Sequence, residues 1–167
     1  MLKYKTEVKE VLEATAWLVK SYDPDGVDLI FTKGDRHVKG VHDVKKVLKT
    51  FDKVDFTGTT NMQMRLGDRL SEYKEKIKKT RSGSLSTLIP GLRRRELRRL
   101  SLYVLTDGIW QPGCDVETPI TSMVNKLKEH DLLDKQVGIQ FIRFGHDEAA
   151  IRHLDYLDRE LKPDLNL

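Results

Sequence analysis

The chain has 167 residues, 38% hydrophobic and 34% charged, and its 30 Lys and Arg against 26 Asp and Glu leave a net charge of +4. That length supports one domain with a sizeable core, so a single domain over 1–167 is expected, and so mild a charge does not by itself imply nucleic acid as a partner. A lone cysteine, Cys114, excludes an intramolecular disulfide and a Cys-based metal cluster. No apolar run nears the ~18 residues of a membrane span, and the start, Met1-Leu2-Lys3-Tyr4-Lys5, lacks an apolar signal region. An intracellular, cytoplasmic chain without a membrane partner is expected.

Val8, Val11, Leu12, Thr15, Leu18 and Val19 form one stripe, which predicts an amphipathic helix over 6–21. Trp17 lies close to that stripe and is expected in the core. Asp23-Pro24-Asp25-Gly26 is turn chemistry that stops the helix. Val27 to Phe31 reads as a short strand, and Arg36 to Val41 as a brief edge strand, where Lys and Arg are tolerated. A second helix is predicted from Asp43 to Phe51 and a third from Asn61, with Thr60 and Gln63 matching a capping box. Met62, Leu66, Leu70, Tyr73 and Ile77 supply the buried side of the third helix.

From Lys74 to Arg99 ten basic residues stand against two acidic ones, a local +8 that leaves about −4 elsewhere. The interior of this stretch, over 80–99, reads as a basic flexible loop. Leu102-Tyr103-Val104-Leu105-Thr106-Asp107-Gly108 then reads as a strand buried on both faces and ended by turn chemistry. In an open α/β sheet ligands bind at the carboxyl ends of such strands, which makes Asp107 the first candidate for chemistry. After the loop containing Pro112 and Gly113, Thr118-Pro119 predicts an N-cap followed by Pro at the first helical position. That helix runs to about His130. Val137 to Gly145 is the next strand, and Asp147 caps a last helix carrying Ile151, Leu154, Leu157 and Leu161. Strands alternating with helices argue for a mostly parallel sheet covered on both faces.

Three of these motifs resemble a known family. Leu102 to Gly108 with its Thr-Asp-Gly end is similar to the fourth strand of a von Willebrand factor A domain. Gly58-Thr59-Thr60-Asn61 resembles that family's Gly-x-Thr loop, and Phe141 to Gly145 followed by Asp147-Glu148 resembles the fifth strand and its exit in stand-alone intracellular members. The resemblance covers nearly the whole chain and rests on the order and spacing of motifs that are individually weak. It implies a three-layer, doubly wound, mostly parallel sheet and metal-dependent binding of a protein ligand, without catalysis. It also implies a metal site in which Thr60 (or Thr59) and Asp107 are ligands. Their oxygen donors suit Mg²⁺, which takes six oxygen ligands. Gly58, Thr59, Asn61, Gly108 and Trp110 would then form the ligand face.

The departure from that pattern is large. No Asp-x-Ser-x-Ser occurs, and the first strand, which lies in the middle of that sheet, is missing, as is the last strand. The chain reads as the interior of such a domain with both ends cut. Any Mg²⁺ held by Thr60 and Asp107 alone keeps most of its ligands as water and binds weakly or not at all. Strands 27–31 and 102–106 are each expected to lack a neighbour.

Plainer readings stand beside these. Asp107 can be an acid in a turn that accepts backbone N–H groups, and Thr60 a helix N-cap. Trp110 is a candidate for a protein contact, the alternative being packing over its loop. Arg93, Arg94, Arg95, Arg98 and Arg99 offer an alternative function, binding of nucleic acid or an anionic surface. No aromatic residues are interleaved with them for base stacking, and a solvated loop is the plainer account. The five histidines have no metal-ligand spacing, Cys114 has no base beside it, and Ser84 and Ser86 lack a nucleophile elbow. Phosphate-cradling glycine loops are also absent from the sequence, so a non-enzymatic protein with an unidentified protein ligand is expected.

Overall fold

A computed structural model describes residues 1–23, 25–33, 37–57, 61–82, 97–132, 136–159 and 161. After a 3₁₀ turn at Leu2–Tyr4, the described elements are α1 (Lys5–Lys20), β1 (Val27–Ile30), β2 (His37–Val41), α2 (Val44–Asp52), α3 (Met62–Ser82), β3 (Leu100–Thr106), α4 (Glu117–Glu129), β4 (Val137–Arg143) and α5 (Glu148–Arg159). The protein is therefore a mixed α/β chain. The single large parallel sheet expected from the strand pattern is not shown. Two two-stranded sheets stand in its place: β1 with β2 antiparallel, and β3 with β4 parallel. None of the described helices is long and apolar enough to cross a membrane.

The helix starts follow local chemistry, with two corrections. Asp43 caps α2 by accepting the Lys45 N–H at 2.9 Å, and Asp147 caps α5 by accepting the Ala150 N–H at 2.9 Å. For α3 the cap is Asn61, whose Oδ1 accepts the Met64 N–H at 2.9 Å. The Thr60 half of the expected capping box lies outside the described residues; Gln63 Oε1 accepts the Asp115 N–H at 3.1 Å and ties α3 to the loop before α4. That helix starts one residue before Thr118, and its capping oxygen is Asp115 Oδ1, which accepts the Thr118 N–H at 2.9 Å. Pro119 falls in the first turn, where its missing N–H costs nothing.

Two apolar clusters hold these elements. Leu66, Leu70, Tyr73 and Ile77 of α3 join Met123 and Leu127 of α4 and Leu157 of α5, and Leu100, Leu102, Val104, Ile139 and Phe141 pack on them. Val8, Leu12 and Ala16 of α1 join Val41 and Val47 and Phe51 of α2, with Leu29, Phe31, Leu105 and Ile142 against them. Each such side chain contributes about 1.5–3 kcal/mol on leaving water.

The parallel register pairs Ser101 with Gly138, Tyr103 with Gln140 and Leu105 with Ile142. Leu105 and Ile142 are covered by the second cluster, but Ser101, Tyr103, Gly138 and Gln140 are exposed. The expectation that β3 is buried on both faces thus fails over its first half: α1 and α2 reach only the carboxyl end of this sheet. The same incomplete cover corrects two residues of α1. Trp17 is 60% and Leu18 55% exposed, because the helix buries the stripe of Val8, Leu12 and Ala16 and both point away from that face.

Candidate functional site

Thr106, the last residue of β3, is buried, and its hydroxyl organises the turn that follows. Thr106 Oγ1 accepts the Gly108 N–H at 3.0 Å and the Trp110 indole N–H at 3.1 Å. Gly108 takes φ +73°, a left-handed conformation that costs other residues energy, and a Cβ there would lie 2.7 Å from the Ala150 Cβ of α5. This turn directs the Asp107 carboxylate out at the carboxyl end of the strand. Its Oδ1 accepts the Ile109 N–H at 3.3 Å, and its Oδ2 pairs with the Met1 ammonium.

Because β4 runs parallel to β3 and Thr106 pairs with Arg143, the segment leaving β4 arrives beside the one leaving β3. Phe144 continues the ladder, its N–H bonding to the Thr106 carbonyl at 2.9 Å. Asp107, Ile109, Phe144, His146 and Asp147 then line a shallow cavity of about 310 Å³, closed on its other side by Lys3 and Tyr4. The Tyr4 hydroxyl lies directly over Gly145, in space that a larger residue would fill. Hydrogen bonding to Tyr4 raises the pKa of the Lys3 ammonium above its ordinary value, and the Asp107 and Asp147 carboxylates contribute further. Lys3 also sits over the Tyr4 ring, 4.9 Å from its centre.

The cleft offers charge recognition. Asp107 faces a cation and Asp147 is engaged as a helix cap. Among the described residues no three His, Cys, Asp or Glu side chains converge as a metal shell. Of the two expected ligands, Asp107 is paired with the Met1 ammonium, and Thr60 is not among the described residues.

Gly58, Thr59 and Thr60 lie outside the described residues. Asn61, next to them, donates its N–H to the Thr32 carbonyl at 3.0 Å, which fastens the start of α3 to the carboxyl end of β1. Trp110 packs over the loop rather than standing free. It is half-buried against the α3–α4 cluster, with ring centroids 6.0 Å from Phe141 and 5.0 Å from His153. His153 in turn lies 3.5 Å from the Glu117 carboxylate.

Of the five arginines singled out, Arg93, Arg94 and Arg95 fall outside the described residues. Arg98 pairs with Asp25 and lies 3.8 Å from Asp23, so its charge is answered within the chain; Arg99 is exposed. Lys3, Tyr4 and His146 had no functional reading in the sequence. The signal for His146 and Asp147 was available: if the two longest apolar runs pair in parallel, the residues just past each must meet. Lys3 and Tyr4 carry no such signal. Comparison with protein-family models, curated proteins and solved structures gives no match.

Proposed function

We propose that the chain is a non-enzymatic protein-interaction module of the von Willebrand A kind, which offers the carboxyl ends of its strands to a protein ligand. The finer architecture belongs to the same reading: a three-layer, doubly wound arrangement with α1 and α2 on one side of the strands and α3 and α4 on the other, lacking its middle strand. The observation that carries it is the parallel β3–β4 pair, whose ends bring Asp107, His146 and Asp147 into one open cleft rimmed by the exposed Ile109. Open strand-end clefts of this kind are where α/β sheets bind ligands. The cation site is incomplete, with Asp107 and Thr60 as its remnants.

Two measurements test this. Calorimetric titration with Mg²⁺ should show binding no tighter than millimolar; sub-millimolar affinity abolished by Asp107→Ala would mean a working metal site. Peptides selected on the intact chain from a display library should lose affinity on Ile109→Ser, a change at a side chain 55% exposed and outside both core clusters. Selected peptides indifferent to that change would place the binding surface elsewhere. The competing reading, an anion binder working through its arginines, is weakened by the Arg98 pairing with Asp25 and Asp23.

A further inference from the structure

Four side chains from separate segments meet in a row behind the Asp107 turn. Thr106 closes β3, Trp110 stands in the loop after it, His153 belongs to α5 and Glu117 opens α4. Trp110 donates its indole N–H to Thr106 Oγ1 at 3.1 Å, and the same oxygen accepts the Gly108 N–H at 3.0 Å. The Trp110 and His153 rings meet edge to face at 72°, with centroids 5.0 Å apart. His153 Nε2 lies 3.5 Å from Glu117 Oε1, within ion-pair reach but longer than an ordinary hydrogen bond. The row thus runs from a carboxylate at the start of α4 to the hydroxyl that shapes the Asp107 turn.

A proton on His153 changes two of these contacts at once. Histidine is the one ordinary side chain that changes charge at about pH 5–8. A neutral ring meets Glu117 only as a long polar contact, whereas a charged one forms an ion pair with it. The same charge stands within the roughly 6 Å at which an aromatic face attracts a cation. The amino end of α4 opposes this with about half an elementary charge, and Glu117 in its first turn answers with a full one. Among the described residues Glu117 is the one carboxylate within ion-pair reach of His153. Nearby charges are engaged elsewhere: Arg152 reaches back to Glu148 at 3.4 Å, and Asp115 in the loop accepts the Thr118 N–H. Along α5 the residues three and four positions away are Ala149, Ala150, Tyr156 and Leu157, none of a type charged near neutral pH.

We infer that His153 is a pH-operated clamp on the strand-end cleft: its protonation ties α5 to the start of α4, holds Trp110 against Thr106 and so stiffens the turn that carries Asp107. Both neighbours of the ring, Glu117 and Trp110, are better partners for an imidazolium than for a neutral imidazole. The clamp therefore tightens as pH falls through the histidine range and loosens above it. It works from behind the cleft and touches no ligand. Any effect on ligand affinity rests on the strand-end reading, while the clamp itself stands without it.

The test is nuclear magnetic resonance of the full chain labelled with nitrogen-15, in which Trp17 and Trp110 each give one indole N–H signal. Trp17, 60% exposed on α1, is the internal control. As pH falls across the histidine range, the Trp110 signal should move and the Trp17 signal should stay. The Gly108 amide, which bonds to Thr106 Oγ1, should exchange about two- to fivefold more slowly after correction for the intrinsic rate, the range of a partly exposed ion pair. His153→Gln should abolish both changes, and Glu117→Gln should abolish the slowing. His146→Gln, in the cleft on the other side of the turn, should leave both in place. A Trp110 signal that follows pH equally in the His153→Gln chain overturns the inference. So does a response lost in His146→Gln, which would assign it to the cleft's own histidine, or slowing that survives Glu117→Gln. No ligand enters these readings, so their failure leaves the strand-end proposal standing, and failure of that proposal leaves the clamp.

Discussion

Gly108→Ala probes the turn that presents Asp107. Two costs meet at this residue. Its φ of +73° is left-handed, which costs an L side chain about 1–2 kcal/mol, partly offset by about 0.4–1 kcal/mol from the stiffer unfolded chain. The new methyl would also sit 2.7 Å from the Ala150 Cβ and 3.4 Å from Leu154 Cδ1. The nearer atom is fixed to a helix backbone and cannot swing aside, so α5 must shift, an overpacking cost of about 1–3 kcal/mol. The sum is about 1–4.5 kcal/mol. Gly113 supplies the control: its φ is +79°, but nothing lies within 4 Å of the position a Cβ would take. Gly113→Ala should therefore cost only the conformational part, about 1 kcal/mol. Urea unfolding measures both, with an unchanged slope showing that the unfolded state is the same. Adding Ala150→Gly to Gly108→Ala should recover part of the loss, despite the roughly 0.5–1 kcal/mol that Gly costs inside a helix. Equal losses at Gly108 and Gly113 would refute the reasoning, because α5 would then not be pressed against the Asp107 turn.

Other expectations concern the supports of the site and its charges. Burial pushes the Tyr73 phenol above its usual pKa, against the lowering effect of its Gln136 hydrogen bond, so the protonated hydroxyl bonds to the Arg98 carbonyl. Tyr73→Phe should cost about 1 kcal/mol, the low end for a lost hydrogen bond, because Gln136 Nε2 still reaches the Arg98 carbonyl at 3.3 Å; a loss above about 3 kcal/mol would show a larger disruption. Hydrogen bonds from Lys33 and Thr57 hold the Asp55 carboxyl well below the usual carboxylate range. Its stabilising contribution is thus present above pH about 4 and is lost as pH falls below that value. Asp55→Asn should flatten the acid side of the stability profile, and an unchanged profile would show that Asp55 is not part of it. On heparin, Arg98→Gln should leave the eluting salt concentration unchanged, whereas Arg93, Arg94 and Arg95 changed together to Gln should lower it only slightly. A large drop in the triple variant would favour the anion-binding reading over the protein-ligand one.

The sequence by itself determined which segments become helices and strands and where most of them begin. Those features depend on residues three or four positions apart, such as Asp43 capping α2 and Asp147 capping α5. Where two local signals competed it misled: Thr118-Pro119 looked like a cap, yet Asp115 supplies the oxygen, and Asn61 caps α3. Only the tertiary structure decided the pairings of β1 with β2 and of β3 with β4 as separate sheets, and the exposure of Trp17 and Tyr103. It alone brought Asp107 to Met1 and Arg98 to Asp25. Periodicity records which face of an element is apolar, but not which element covers it. The partner at a strand edge or a carboxylate is chosen by packing between segments scores of residues apart, and no local pattern encodes that choice.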